Sequence, residues 1–100
     1  MTTVALLVEL KAKPGMEDEL AAFLASAQPL ALDEPGTIAW FAVRLDDRTF
    51  AIFDAFNNDA GRQAHLNGPI AAALMSQADR LLASAPNIRY ADVLADVLPS

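Results

Sequence analysis

Cysteine is missing from this 100-residue chain altogether, and histidine occurs once. The first absence excludes disulfides, iron–sulfur ligation and thiolate nucleophiles; the second excludes a His-rich metal centre. Positive charge is sparse as well, with seven Lys and Arg against thirteen Asp and Glu and a net charge of −6. The seven cations stand singly, so no basic stripe is available to neutralise phosphates or to hold an anionic membrane, and nucleic acid is not an expected partner. No long apolar run is present. Ala5 to Val8 is followed at once by Glu9 and Lys11, which disfavours a signal peptide or a membrane span, and a soluble, cytoplasmic protein is expected. Glycine is scarce and forms no phosphate loop: Pro14-Gly15 is a turn, and no Gly-rich dinucleotide fingerprint follows the first apolar segment. Neither a metal nor a flavin or other cofactor is expected.

Apolar residues, in contrast, make up 54% of the chain, and 21 positions are alanine. One hundred residues suit a single domain, residues 1–100, that buries roughly 60% or more of its unfolded surface. So small a body leaves apolar area over, and a subunit interface is the natural place for it.

Residues Thr3 to Lys11 read as a strand with apolar residues on both alternating sets: Val4, Leu6, Val8 and Leu10 on one, Ala5 and Leu7 on the other. Both faces are therefore expected to be covered. Glu17, Asp18 and Glu19 load the first turn of a helix with carboxylates, as its positive dipole end favours. Met16, Leu20, Phe23, Leu24 and Ala27 make its apolar stripe, Pro29 limits it, and Asp33-Glu34-Pro35-Gly36 is a turn. Thr37 to Leu45 and Thr49 to Phe56 predict two strands joined as a hairpin through Asp46-Asp47-Arg48, placed at the centre of the sheet. Asn57, Asn58 and Asp59 offer caps for a short helix over Ala60 to Leu66. Pro69 then opens a longer helix with Ile70, Leu74, Ala78, Leu81 and Leu82 inward, and Ile88 to Val97 is a last strand. This order predicts an α+β fold, the ferredoxin-like split βαβ arrangement with a four-stranded antiparallel sheet and helices on one face. The other face needs a second copy, and sheet-to-sheet packing would form a dimeric α+β barrel.

With these elements in place, the chain resembles the antibiotic biosynthesis monooxygenase family over nearly its whole length. The residues that carry the likeness are the Pro35-Gly36-Thr37 turn, Trp40, Arg44 near a strand end, the acidic-x-aromatic step Asp54-Ala55-Phe56, and His65 after a short polar helix. The resemblance implies a homodimer and cofactor-independent oxygenation of a small aromatic, quinol- or anthrone-like substrate. Chemistry of that kind asks for a base and an apolar slot, because an electron-rich phenolate or carbanion can itself pass an electron to dioxygen. Two departures are specific to this chain. Asp54-Ala55-Phe56 stands where many members have Glu-x-Trp, which weighs against heme degradation, and Gly68-Pro69-Ile70 stands where many carry a second histidine.

The expected site follows residue by residue. His65 is the candidate general base, since an unperturbed imidazole titrates near neutral pH; its ordinary alternative is to tie the short helix to the sheet. Asp54 lies in an otherwise apolar strand, where an unpaired carboxylate is costly, so a partner is expected: either it orients His65 in the catalytic site or it caps the Asn57–Asp59 turn. Trp40 would stack on a planar substrate, Arg44 would meet a developing oxyanion, and Phe56 would line the pocket. The competing function is a non-catalytic dimeric module that binds a small hydrophobic metabolite, which needs the slot but no titrating base. A third reading is an accessory subunit with no cavity beside His65.

Overall fold

The computed structural model describes residues 1–99. Strand β1 (Val4–Lys11) is followed by helices α1 (Glu17–Ser26) and α2 (Gln28–Leu32), strands β2 (Thr37–Arg44) and β3 (Thr49–Phe56), helices α3 (Asp59–Leu66) and α4 (Pro69–Leu81), and strand β4 (Asn87–Asp92). All pairings are antiparallel, and the spatial order is β2-β3-β1-β4. This is the predicted ferredoxin-like α+β architecture. The hairpin β2-β3 is not the sheet centre, however: β3 and β1 occupy it and β2 is an edge. Strand β1, apolar on both sets, is the better-shielded strand and takes the inner place.

Local chemistry explains most boundaries. The carboxylates of Glu17, Asp18 and Glu19 sit in the first turn of α1, whose buried side chains are Leu20 and Leu24. Pro29 does more than stop that helix. It occupies the first turn of α2, where a missing N–H is no loss. In the hairpin, Asp46 Oδ1 accepts from the backbone N–H groups of Arg48 at 3.0 Å and Thr49 at 2.8 Å. Strand β4 is shorter than predicted and ends at Asp92, whose partner is Val4, the first residue of β1. Beyond that point the neighbouring strand runs out. Among the described residues, Val93 N–H to Thr3 O, and Asp96 with the backbone and hydroxyl of Thr2, tie the tail.

The core lies between the sheet and the helices. Leu10, Phe50 and Ile52 from the sheet meet Leu20, Leu24, Leu74 and Leu81 from α1 and α4. The opposite sheet face carries no helix. Leu7, Phe41, Val43 and Phe53 alternate onto it and are 38%, 56%, 42% and 38% exposed.

Candidate functional site

The helix-facing side of β3 reads Phe50, Ile52, Asp54, Phe56, so the strand's own alternation carries one carboxylate into an apolar layer. Asp54 is fully buried. Its neighbours across the sheet are Leu6 on β1 and Trp40 on β2.

Helix α3 begins at Asn58, whose side chain accepts from Gly61 N–H at 3.0 Å. Arg62 fastens it to the sheet by reaching the carbonyls of Ala5 and Ala91, both at 3.3 Å, with its guanidinium 4.7 Å from the Tyr90 ring centroid. Eight residues of helix bring His65 over Phe56, the ring centroids 5.6 Å apart and tilted by 43°. The turn before β2 closes the site. Gly36 meets Gly61 so closely that a Cβ on Gly36 would lie 3.0 Å from the Gly61 Cα. That glycine-to-glycine contact lets Glu34 reach the imidazole.

The result is a carboxylate on each side of one ring. His65 Nδ1 is 2.6 Å from Glu34 Oε1, which also accepts from the Thr37 hydroxyl at 2.7 Å. On the far side Nε2 is 2.8 Å from Asp54 Oδ2. This second contact has hydrogen-bond length but not a regular hydrogen-bond direction, and neither Asp54 oxygen makes a well-directed bond. We therefore treat it as an ion pair. Carboxylates on both nitrogens match the doubly protonated imidazolium, which has a donor on each. Burial alone pulls the imidazole pKa down, but the adjoining carboxylate of Asp54, then that of Glu34, outweigh it and raise the pKa from 6.5 to about 8. Three buried polar atoms around the cluster lack a hydrogen bond among the described residues apart from the ion pair just described: Glu34 Oε2, Asp54 Oδ1 and Trp40 Nε1.

A cavity of about 330 Å³ opens beside this cluster, with Glu34, Pro35 and Gly36 on one wall and His65, Gly68 and Pro69 on the other. Its size is at the lower end of small-molecule sites, which run from roughly 300 to 1,000 Å³. The two carboxylates lie on opposite ring nitrogens and cannot converge on one ion, and no His, Cys, Asp and Glu cluster suited to a metal occurs among the described residues.

The structure brings His65, Asp54 and Phe56 together, sets Trp40 beside Asp54 across the sheet but on another cavity, and leaves Arg44 apart. Phe56 is wholly buried beneath the imidazole as a packing surface. Trp40 borders a separate cavity of about 190 Å³ along β2 and α2, which shares Thr37 with the first. Arg44 is exposed at the far end of β2. Its guanidinium donates to the carbonyls of Asp46 and Asp47 and lies 5.0 Å from the Phe50 ring centroid. Glu34, which sequence reasoning assigned only to a turn, is the addition. The available signal was an accounting one: a buried histidine has two ring nitrogens to satisfy, and Asp54 supplies only one.

Comparison with known proteins gives the same frame. The family model described as antibiotic biosynthesis monooxygenase matches residues 3–77. A crystal structure of a protein of unknown function from Nitrosomonas europaea is 60% identical, with a TM-score of 0.99, covering 100% of this chain and 97% of that one. A candidate antibiotic biosynthesis monooxygenase from Caulobacter crescentus shares 18% identity at a TM-score of 0.80, over 94% of this chain and 92% of its own. Another from Nitrosomonas europaea shares 13% at 0.83, over 92% and 99%. At those identities the likeness concerns the fold. No curated protein matches the chain. No helix among the described residues is long and apolar enough to cross a membrane.

Proposed function

Since this chain belongs to the antibiotic biosynthesis monooxygenase family, we propose that it oxygenates a small aromatic, quinol- or anthrone-like molecule without a cofactor, in the cavity beside His65. The observation that carries this reading is the juxtaposition of a titratable cluster, Glu34, His65 and Asp54, with a cavity of about 330 Å³. The cluster has one chemical task. It takes the hydroxyl proton of the substrate, and the resulting anion passes its first electron to dioxygen; one oxygen atom enters the substrate and the other leaves as water, the two hydrogens and two electrons of that water coming from the substrate, which ends at the quinone level. His65 is the proton store and Asp54 fixes its ring, while the cavity wall excludes bulk water. Above the His65 pKa of about 8 the store is empty and can act as a base.

The sheet face carrying Leu7, Phe41, Val43 and Phe53 packs, in this reading, on the same face of a second copy. The two copies form the dimeric α+β barrel, and the absence of cysteine suits a reducing cytoplasm. Sedimentation at micromolar concentration reads this directly, and a monomer there removes the dimer.

Oxygen uptake over a panel of anthrones and hydroquinones, from pH 5 to 9, tests the activity. His65→Gln should lower kcat by about 10²-fold or more, the usual contribution of a positioned base. One observation favours the second reading, a non-catalytic binding module: both ring nitrogens of His65 are already engaged by carboxylates. Binding without uptake, with His65→Gln changing affinity alone, would establish that reading instead.

A further inference from the structure

His65 itself lines the cavity, but with a carboxylate on each ring nitrogen it has no free nitrogen to turn toward a ligand, so a ligand hydroxyl has to meet one of the two acids. They are not equivalent. Asp54 is fully buried beneath the layer of α3 and borders no part of the cavity, whereas Glu34 forms its wall. Within Glu34 the two oxygens divide the work. Oε1 holds His65 and Thr37, and Oε2 has no hydrogen-bond donor. That oxygen lies against Gly68, another wall residue, where a Cβ would come within 3.2 Å of it. The final torsion of a glutamate is soft, so the carboxylate can turn Oε2 to the cavity while staying on Nδ1.

We propose that Glu34, and not His65, takes the ligand's hydroxyl: its carboxylate accepts the hydroxyl of a neutral phenol in the cavity and, when the adjoining imidazole is neutral, hands the proton to that ring. The inference rests on the reading of this cavity as the substrate site and names the ligand class, an uncharged aromatic hydroxyl donor. In the transfer step the ligand's O–H bond breaks and its electron pair stays on oxygen. The Glu34 and His65 pair gains the proton as one unit. The charged groups facing this pair are Asp54 from β3 and Asp33 on the cavity wall, both acidic. The nearest cation on α3, Arg62, is directed instead to Asp59 and to the carbonyls of Ala5 and Ala91. An anionic ligand such as benzoate is thus disfavoured, and a neutral hydroxyl is favoured.

Phenol and toluene, nearly equal in size, differ by the hydroxyl and make the test. Their affinities can be read from the ring signals of His65, which is the sole histidine and so gives one unambiguous set in NMR. In Glu34→Gln the amide oxygen can keep the contacts to Thr37 and His65, but a donor replaces Oε2. The ratio of phenol to toluene affinity should fall about tenfold or more, with toluene affinity nearly unchanged. Gly68→Ala, which presses a methyl on Oε2 without altering charge, should shift the ratio the same way and serves if Glu34→Gln does not fold. An unchanged ratio in the folded variant, or no binding of phenol to the wild type up to its solubility, overturns the proposal. Turnover is not needed for this readout. Absence of oxygen uptake with an intact hydroxyl preference would remove the oxygenase reading alone, and full uptake by Glu34→Gln with an unchanged pH profile would remove Glu34 alone.

Discussion

Four residues apart on the same face of β3, Phe50 and Asp54 anchor two regions that the molecule holds by different physics. Around Phe50, Leu10, Leu20, Leu24, Ile52 and Leu81 fill the space between sheet and helices with no polar atom to satisfy. Around Asp54, an imidazole and two carboxylates are drawn together, and four polar atoms there make no hydrogen bond among the described residues. The first region is stabilised by area removed from water, which is non-directional and indifferent to pH. The second is stabilised by charge pairing against a desolvation cost, and it is directional, cooperative and pH-sensitive. A chain selected for stability alone would extend the first pattern to the second position. That it does not is the physical reason the proposed function is placed at the Asp54 end.

The largest effects separate the regions by what relieves them rather than by size. Phe50→Ala removes a side chain that is 2% exposed and should cost about 3–5 kcal/mol at any pH where the protein folds. His65→Ala leaves the buried Asp54 and the partly buried Glu34 with no cation between them, and breaking such a pair also costs about 3–5 kcal/mol. Part of that cost should return when Asp54→Asn is added to His65→Ala, because the double variant no longer holds an uncompensated charge in the apolar layer, whereas Phe50→Ala leaves no polar partner to relieve. Denaturant midpoints of the single and double variants decide the matter. No recovery in the double variant would mean that the cluster is held like the core.

A smaller effect is expected in the wild type itself. The folded pKa of His65, about 8, lies above its ordinary value of 6.5. The contribution of the protonated ring is therefore fully present below about pH 6.5 and is lost as pH rises through 8. Stability should decline between those values in the wild type and stay level over the same window in His65→Gln. A wild-type profile flat from pH 6 to 9 would show that the carboxylates do not hold the proton.

The two regions also differed in how far the sequence revealed them. Alternation and helical spacing are local, so Leu20, Leu74 and Leu81 could be placed in the core from periodicity alone, and Asp54 stood out as an acid in an apolar strand. The cost of leaving it alone called for a partner, with His65 as one choice and the Asn57–Asp59 turn as the other. Glu34 was hidden because its partner is 31 residues away and its own surroundings, Asp33-Glu34-Pro35-Gly36, are a sufficient description of a turn. Nothing local distinguishes a turn glutamate in water from one drawn inward. The close approach of Gly36 to Gly61 that draws it in is a tertiary contact. Similar reasons explain α2, where proline's two roles at a helix, stopping and starting, look alike in sequence. Arg44 belongs with these: its place on an alternation pattern was legible, but the hairpin carbonyls of Asp46 and Asp47 that hold it at the far end were not.

The smallest expected effect tests whether the polar region acts through geometry or merely through the presence of its groups. Asn58 caps α3 seven residues before His65 and touches none of the cluster; its loss to alanine should cost about 1 kcal/mol of stability, the usual value of a cap. The helix is also held by Arg62 on the carbonyls of β1 and β4 and by the Gly36 contact, so fraying should stay within the first turn. In that event the His65 pKa, followed by NMR on the single histidine, stays near 8 in Asn58→Ala while the denaturation midpoint drops slightly. A fall of that pKa toward 6.5 would show instead that the imidazole is held between its carboxylates only while the whole of α3 is in register. The cluster would then be a property of the helix's position, whereas the Phe50 region, which gains its stability from area, tolerates the same displacement.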